Sequence, residues 1–110
     1  MTTYIKIIFF VLNFSLIFLS SASSEEKIKI GLLVPMTGPN KDIGQSIIKA
    51  VRLAVNDIDS ESIEIVPKDT ATKPDITLKS AYELKEMGIS IVIGPVFYES
   101  LIYLDEVKDL

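Results

Sequence analysis

Asp69 and Glu99 are the two carboxylates whose place in the sequence suits proton transfer. Each follows a short apolar run, in a loop where an acid and a base could face a substrate. The same residues have a plainer use. Asp69 can tether its own loop by accepting backbone N–H bonds, and Glu99 can sit in the first turn of a helix, where the dipole favours it. Other chemistry is excluded outright. The 110 residues include no His and no Cys, so neither a Ser-His-Asp nor a Cys-His arrangement can be assembled, and neither can a thiolate metal site or a disulfide framework. Five residues lie between Gly38 and Gly44, where a phosphate-cradling loop has four, and Gln45 occupies the place of the lysine that reaches phosphate. What remains is binding chemistry. Met36 and Thr37 in the first loop, and Tyr98 and Ser100 after the third apolar run, offer apolar faces and hydroxyls that serve either loop packing or ligand contact. No catalytic residue, metal ligand or cofactor site is expected.

These residues need a frame, and the hydropathy pattern describes one. Residues 27–34 begin in alternation and end in Leu32-Leu33-Val34, which fits a strand covered on both faces. After a loop punctuated by Pro35, Gly38 and Pro39, apolar residues recur at Ile43, Ile47, Ala50, Val51, Ala54, Val55 and Ile58, one face of a helix. Asp42 followed by Gln45 resembles a capping box and places the helix start near Ile43, with its end near Asn56. Residues 62–66 read as a second strand ended by Pro67, and 68–73 as a polar loop. Pro74 and Asp75 mark the next helix start. Leu78, Ala81, Leu84, Tyr82 and Met87 form its inward face, and Gly88 supplies its left-handed stop. Residues 89–93 form a third strand, broken by Gly94-Pro95, and 98–110 a third helix. The β-α-β-α-β-α order with short connections requires parallel strands and right-handed crossovers. The fold class is therefore α/β: a three-layer, Rossmann-like parallel sheet with helices on both faces. Its functional loops, 35–43, 67–73 and 94–99, gather at the carboxyl ends of the strands.

Residues 1–24 read as a signal peptide ahead of this domain. Lys6 is the only charge there, an apolar run covers 7–19, and small residues follow up to the pair Glu25-Glu26. The run is shorter than the roughly 20 residues of a spanning helix, so cleavage after Ala22 or Ser24 is expected. N-terminal sequencing of the exported protein checks this directly. The net charge is −4, with acidic and basic residues interspersed, which argues against nucleic acid as a partner. The membrane is expected to be met only through the leader.

The stretch Ile28-Lys29-Ile30-Gly31-Leu32-Leu33-Val34-Pro35-Met36-Thr37-Gly38-Pro39 resembles the opening strand and loop of type I periplasmic binding proteins, most closely the leucine-binding, or branched-chain amino-acid-binding, group. Gly44, the run Leu53-Ala54-Val55-Asn56-Asp57-Ile58, Asp69, Pro74 and Ile93-Gly94-Pro95 follow in the matching order. The resemblance implies that 25–110 are part of the N-terminal lobe of a two-lobed periplasmic receptor. Such a receptor captures an amino acid or related small solute and passes it to an ABC permease. By the same resemblance Phe97, Tyr98, Glu99 and Ser100 are the main ligand-contact region, with Met36 and Thr37 next. Phe97-Tyr98-Glu99 stand where family members often carry small hydroxyl residues, and Ala50 where glycine is common. A sister group with this domain, the penicillin-binding protein activators, resembles the stretches Pro67-Lys68-Asp69-Thr70 and Gly94-Pro95-Val96-Phe97-Tyr98-Glu99-Ser100 at least as well. It implies a different partner, a peptidoglycan synthase. On either resemblance the 110 residues are a fragment of a two-lobed fold. Alone they are expected to bind no solute tightly, and submicromolar binding of any amino acid by calorimetry would refute that.

Overall fold

The computed structural model describes residues 1–17 and 25–107. Helix α1 covers Thr2–Ile17, and the residues of it that are described for exposure, 2–10, all lie open to solvent. Among the described residues no helix is long and apolar enough to cross a membrane. The expected cleavage sites lie outside the described residues, as do 108–110.

Strands β1 (Ile28–Val34), β2 (Ile63–Asp69) and β3 (Ile91–Ile93) form one parallel sheet in the order β2-β1-β3. Ile28 pairs with Ile63 and Val34 with Asp69, while Ile30 pairs with Ile91. This register brings the carboxyl ends of the strands to one rim. Helix α2 (Lys41–Asp57) and helix α3 (Pro74–Glu86) provide the two crossovers.

Alternation along β1 divides the core between the two faces. Leu32 and Val34 pack with Ile48 of α2, joined by Ile47, Val51 and Ile65. Leu33 points the other way, into a cluster of Ala81 and Leu84 of α3 with Ile89 and Val107. Each fully buried Leu contributes about 1.5–3 kcal/mol by leaving water. The expected three-layer arrangement is therefore present, with α2 on one face and α3 on the other.

Several local expectations are corrected. β2 does not stop at Pro67 but runs through it to Asp69, with Pro67 opposite Leu32. β2 lies at the edge of the sheet, where a missing N–H is tolerated. Helix α2 begins at Lys41 behind Asn40, and no side-chain cap bond forms. Asp42 is thus inside the first turn and not the cap. The buried face of α2 is also rotated from the expected one. Gly44 and Ile48 are buried, whereas Ile43, Ala50, Ala54 and Ile58 are exposed. The cause is Gly44, which lies against the chain at Pro35. A Cβ at Gly44 would sit 1.8 Å from the Pro35 carbonyl oxygen, so the helix docks on its one residue without a side chain.

Helix α3 starts at Pro74, as the sequence indicates, and closes in a Schellman motif. Ile89 N–H donates to the Leu84 carbonyl at 3.0 Å and Gly88 N–H to that of Lys85 at 2.9 Å, with Gly88 at φ +73°. The strand after it therefore begins at Ile91, because Ile89 is still engaged in the cap. Tyr82 and Met87 are exposed rather than inward, and Thr77 and Ser80 take the buried positions. Lys68 of β2 meets Glu83 of α3 at 2.8 Å, and this bond holds the Glu83 carboxyl below its ordinary value. The expected third helix is replaced by two 3-10 turns, Tyr98–Leu101 and Leu104–Val107. Val107 and Leu104 nevertheless pack on α3.

Candidate functional site

Two of the three loops at the carboxyl rim, those after β1 and β2, are joined by one side chain. Asp69, the last residue of β2, reaches across to the loop after β1. Its Oδ1 accepts the N–H groups of Met36 at 2.7 Å, Thr37 at 3.2 Å and Ala71 at 2.8 Å, and its Oδ2 accepts the Thr37 hydroxyl at 2.6 Å. The residue is placed by its own backbone: its carbonyl accepts the buried Ser80 hydroxyl of α3 at 2.6 Å. Thr70 N–H donates to the Val34 carbonyl at 3.0 Å and extends the pairing of β1 and β2 by one residue.

This network holds an unusual backbone. Ala71 and Thr72 have φ of +45° and +57°, a region that costs an L-residue about 1–2 kcal/mol and is an outlier for a β-branched one. Strain of this kind persists only where neighbouring contacts fix it. Here Asp69 holds Ala71, the Thr70 hydroxyl accepts Thr72 N–H at 3.3 Å, and Asn40 Nδ2 donates to the Thr72 hydroxyl at 3.2 Å. Neither Asn40 nor the Ala71-Thr72 pair was indicated by the sequence; the only signal was the polar, turn-forming composition of the two loops.

Desolvation pushes the Asp69 carboxyl upward, but the bonds from the Thr37 hydroxyl and from Met36, Ala71 and Thr37 N–H outweigh it and hold it below its ordinary value. A group with a depressed folded pKa gives stability that is complete above the unfolded value and is lost as pH falls through the folded one. Stability should therefore decline below about pH 4. Asp69→Asn is expected to lose about 1.5 kcal/mol at pH 7, the lower end for bonds to a charged group because the cluster is open to water, and to flatten that acid decline. Urea unfolding at pH 7 and pH 3 measures both effects.

The other expected site residues divide. Met36 and Thr37 are exposed at the rim, and so are Tyr98 and Glu99, while Phe97 is half-buried. Ser100 is 1% exposed, and its hydroxyl has no hydrogen-bond partner. Asp69 and Glu99 are therefore not alike: Asp69 is committed to holding the loops together, and Glu99 lies open in a 3-10 turn. Among the described residues no group of acidic side chains is arranged to hold a metal ion. Two open concavities of about 630 and 570 Å³ lie at the opposite rim, around Lys27 and the starts of β2 and β3. They do not touch the loops.

A model described as periplasmic binding protein matches residues 27–101. No curated protein matches this chain. Solved structures do. An ABC transporter substrate-binding protein from Sphaerobacter thermophilus superposes with a TM-score of 0.69 at 20% identity, over 74% of this chain and 24% of that one. A leucine-binding protein from Thermotoga maritima superposes at 0.66 with 20% identity, over 73% and 24%. A solute-binding protein of an ABC transporter from Rhodopseudomonas palustris BisB5, solved with 3,4-dihydroxybenzoic acid, superposes at 0.67 with 29% identity, over 74% and 24%. The chain thus spans about a quarter of the length of the solved structures it matches.

Proposed function

Because this chain belongs to the periplasmic binding protein family, we propose that it forms the opening part of the first lobe of an exported receptor that feeds a small organic solute to an ABC permease. The family and the matched structures are solute-binding proteins, not enzymes. The observation that carries the proposal is the rim itself. Parallel register delivers the loops after β1, β2 and β3 to one edge, and Asp69 ties the first two into one wall. A single wall suits a cleft that a second lobe completes, and it explains why the rim is open and not a closed cavity.

The solute in this reading is a small molecule with a carboxylate and an apolar body, the chemistry shared by leucine and by dihydroxybenzoic acid, which two of the matched structures name. Met36, Phe97 and Tyr98 supply apolar contact, and Ser100, Thr37 and Glu99 are the polar groups beside them. The buried Ser100 hydroxyl has no hydrogen-bond partner in the protein. Residues 1–24 direct export to the periplasm, after which the leader is removed.

Thermal shift of the full-length protein with L-leucine, benzoate and 3,4-dihydroxybenzoate tests the proposal. A solute at about 100 times its Kd should add about 2.7 kcal/mol of stability. No shift with any of the three, together with co-purification of a peptidoglycan synthase, would instead favour a cell-wall regulator.

A further inference from the structure

We propose that the Asp69 carboxylate is the built-in occupant of an anion-binding nest made by the first two loops, leaving the first loop to meet a solute through the Met36 side chain. The nest consists of three backbone N–H groups, from Met36, Thr37 and Ala71, and the Thr37 hydroxyl, all within 3.2 Å of the two carboxylate oxygens. Successive N–H groups converging on one point make a concavity that favours negative charge. Met36 and Thr37 provide two such neighbours, and Ala71 closes the ring from the other loop with its left-handed backbone. Such a set would capture an external carboxylate if it were empty. It is filled from within, by a residue 32 to 33 positions away in the chain.

The consequence concerns specificity. Three donors of the first loop, the Met36 and Thr37 N–H groups and the Thr37 hydroxyl, are already engaged, so they have no hydrogen bonds to offer a solute. What it presents is Met36, 39% exposed, an unbranched and polarisable side chain that adapts to apolar shapes. A solute carboxylate must then be met elsewhere on the rim. This second half rests on the reading of the rim as a solute-facing wall; the nest does not.

Chemical rescue separates the two. Asp69→Ala empties the nest in the full-length protein, and its melting temperature is read at pH 7 in sodium formate and in sodium chloride of equal ionic strength. The variant should melt about 2 °C or more below the parent and should recover at least half of that loss in formate but not in chloride, since an anion bound only by the folded state stabilises by mass action. The parent should respond equally to both salts. Should Asp69→Ala fail to fold, Asp69→Ser keeps a hydroxyl for Ala71 and still leaves a carboxylate-sized gap. Equal response of the folded variant to the two salts overturns the nest. For the second half, Met36→Ala should weaken tenfold the binding of whichever of L-leucine and benzoate stabilises the parent, and unchanged affinity overturns it. If neither solute stabilises the parent, the solute reading and this second half fall together, while the formate comparison still decides the nest.

Discussion

Gly44→Ala is expected to cost about 3 kcal/mol or more, although alanine is the better helix former by about 1 kcal/mol. The new Cβ would lie 1.8 Å from the Pro35 oxygen and 2.7 Å from its carbonyl carbon. Backbone cannot swing aside as a side chain can, so α2 must retreat from the sheet. Ile48 would then lose its packing on Leu32 and Val34, and the loop that starts at Pro35 would move with it. Overpacking a core typically costs about 1–3 kcal/mol, and here the loss of the α2 contact adds to it. Domains have only about 5–15 kcal/mol in total. Denaturant unfolding checks this, with Gln45→Ala as the control. That exposed neighbour should change stability by no more than about 0.5 kcal/mol. A Gly44→Ala protein as stable as the parent would mean that α2 does not dock where it is described.

Leu84→Ala should cost about 2–5 kcal/mol, the range for truncating a buried leucine. Leu84 is fully buried between α3 and β1. Its two terminal methyls fill the space over Gly31, where an added Cβ would lie 2.7 and 3.1 Å from them. The two positions are complementary in volume. Gly31→Ala alone should therefore be destabilising, yet combined with Leu84→Ala it puts a methyl group back into the cavity. The double variant should be more stable than the sum of the single losses by about 1 kcal/mol, within the range measured for residues in contact. Strict additivity would show that they do not share this space.

Much of the frame is written locally. The Leu32-Leu33-Val34 run, Pro74 at a helix start and Gly88 at its end each act within a few residues, through the strand's alternation, a fixed φ or a left-handed cap. The order of elements and the parallel sheet follow from them. Pro67 misled because a proline reads as a strand end unless one knows that the strand is at an edge. Residues 98–107 misled because an apolar spacing of three and four suits a 3-10 turn resting on α3 as well as a regular helix.

The sequence alone determined that this chain builds a parallel α/β sheet without the side chains for acid–base catalysis by histidine or attack by cysteine, and that its loops must share one rim. It could not tell which face of α2 turns inward, because seven apolar residues satisfied the period and only the contact of Gly44 with Pro35 selects among them. Nor could it tell that Asp69 serves the loop after β1 as well as its own. That depends on the register placing Val34 beside Asp69, a relation between residues 35 positions apart that no local periodicity encodes.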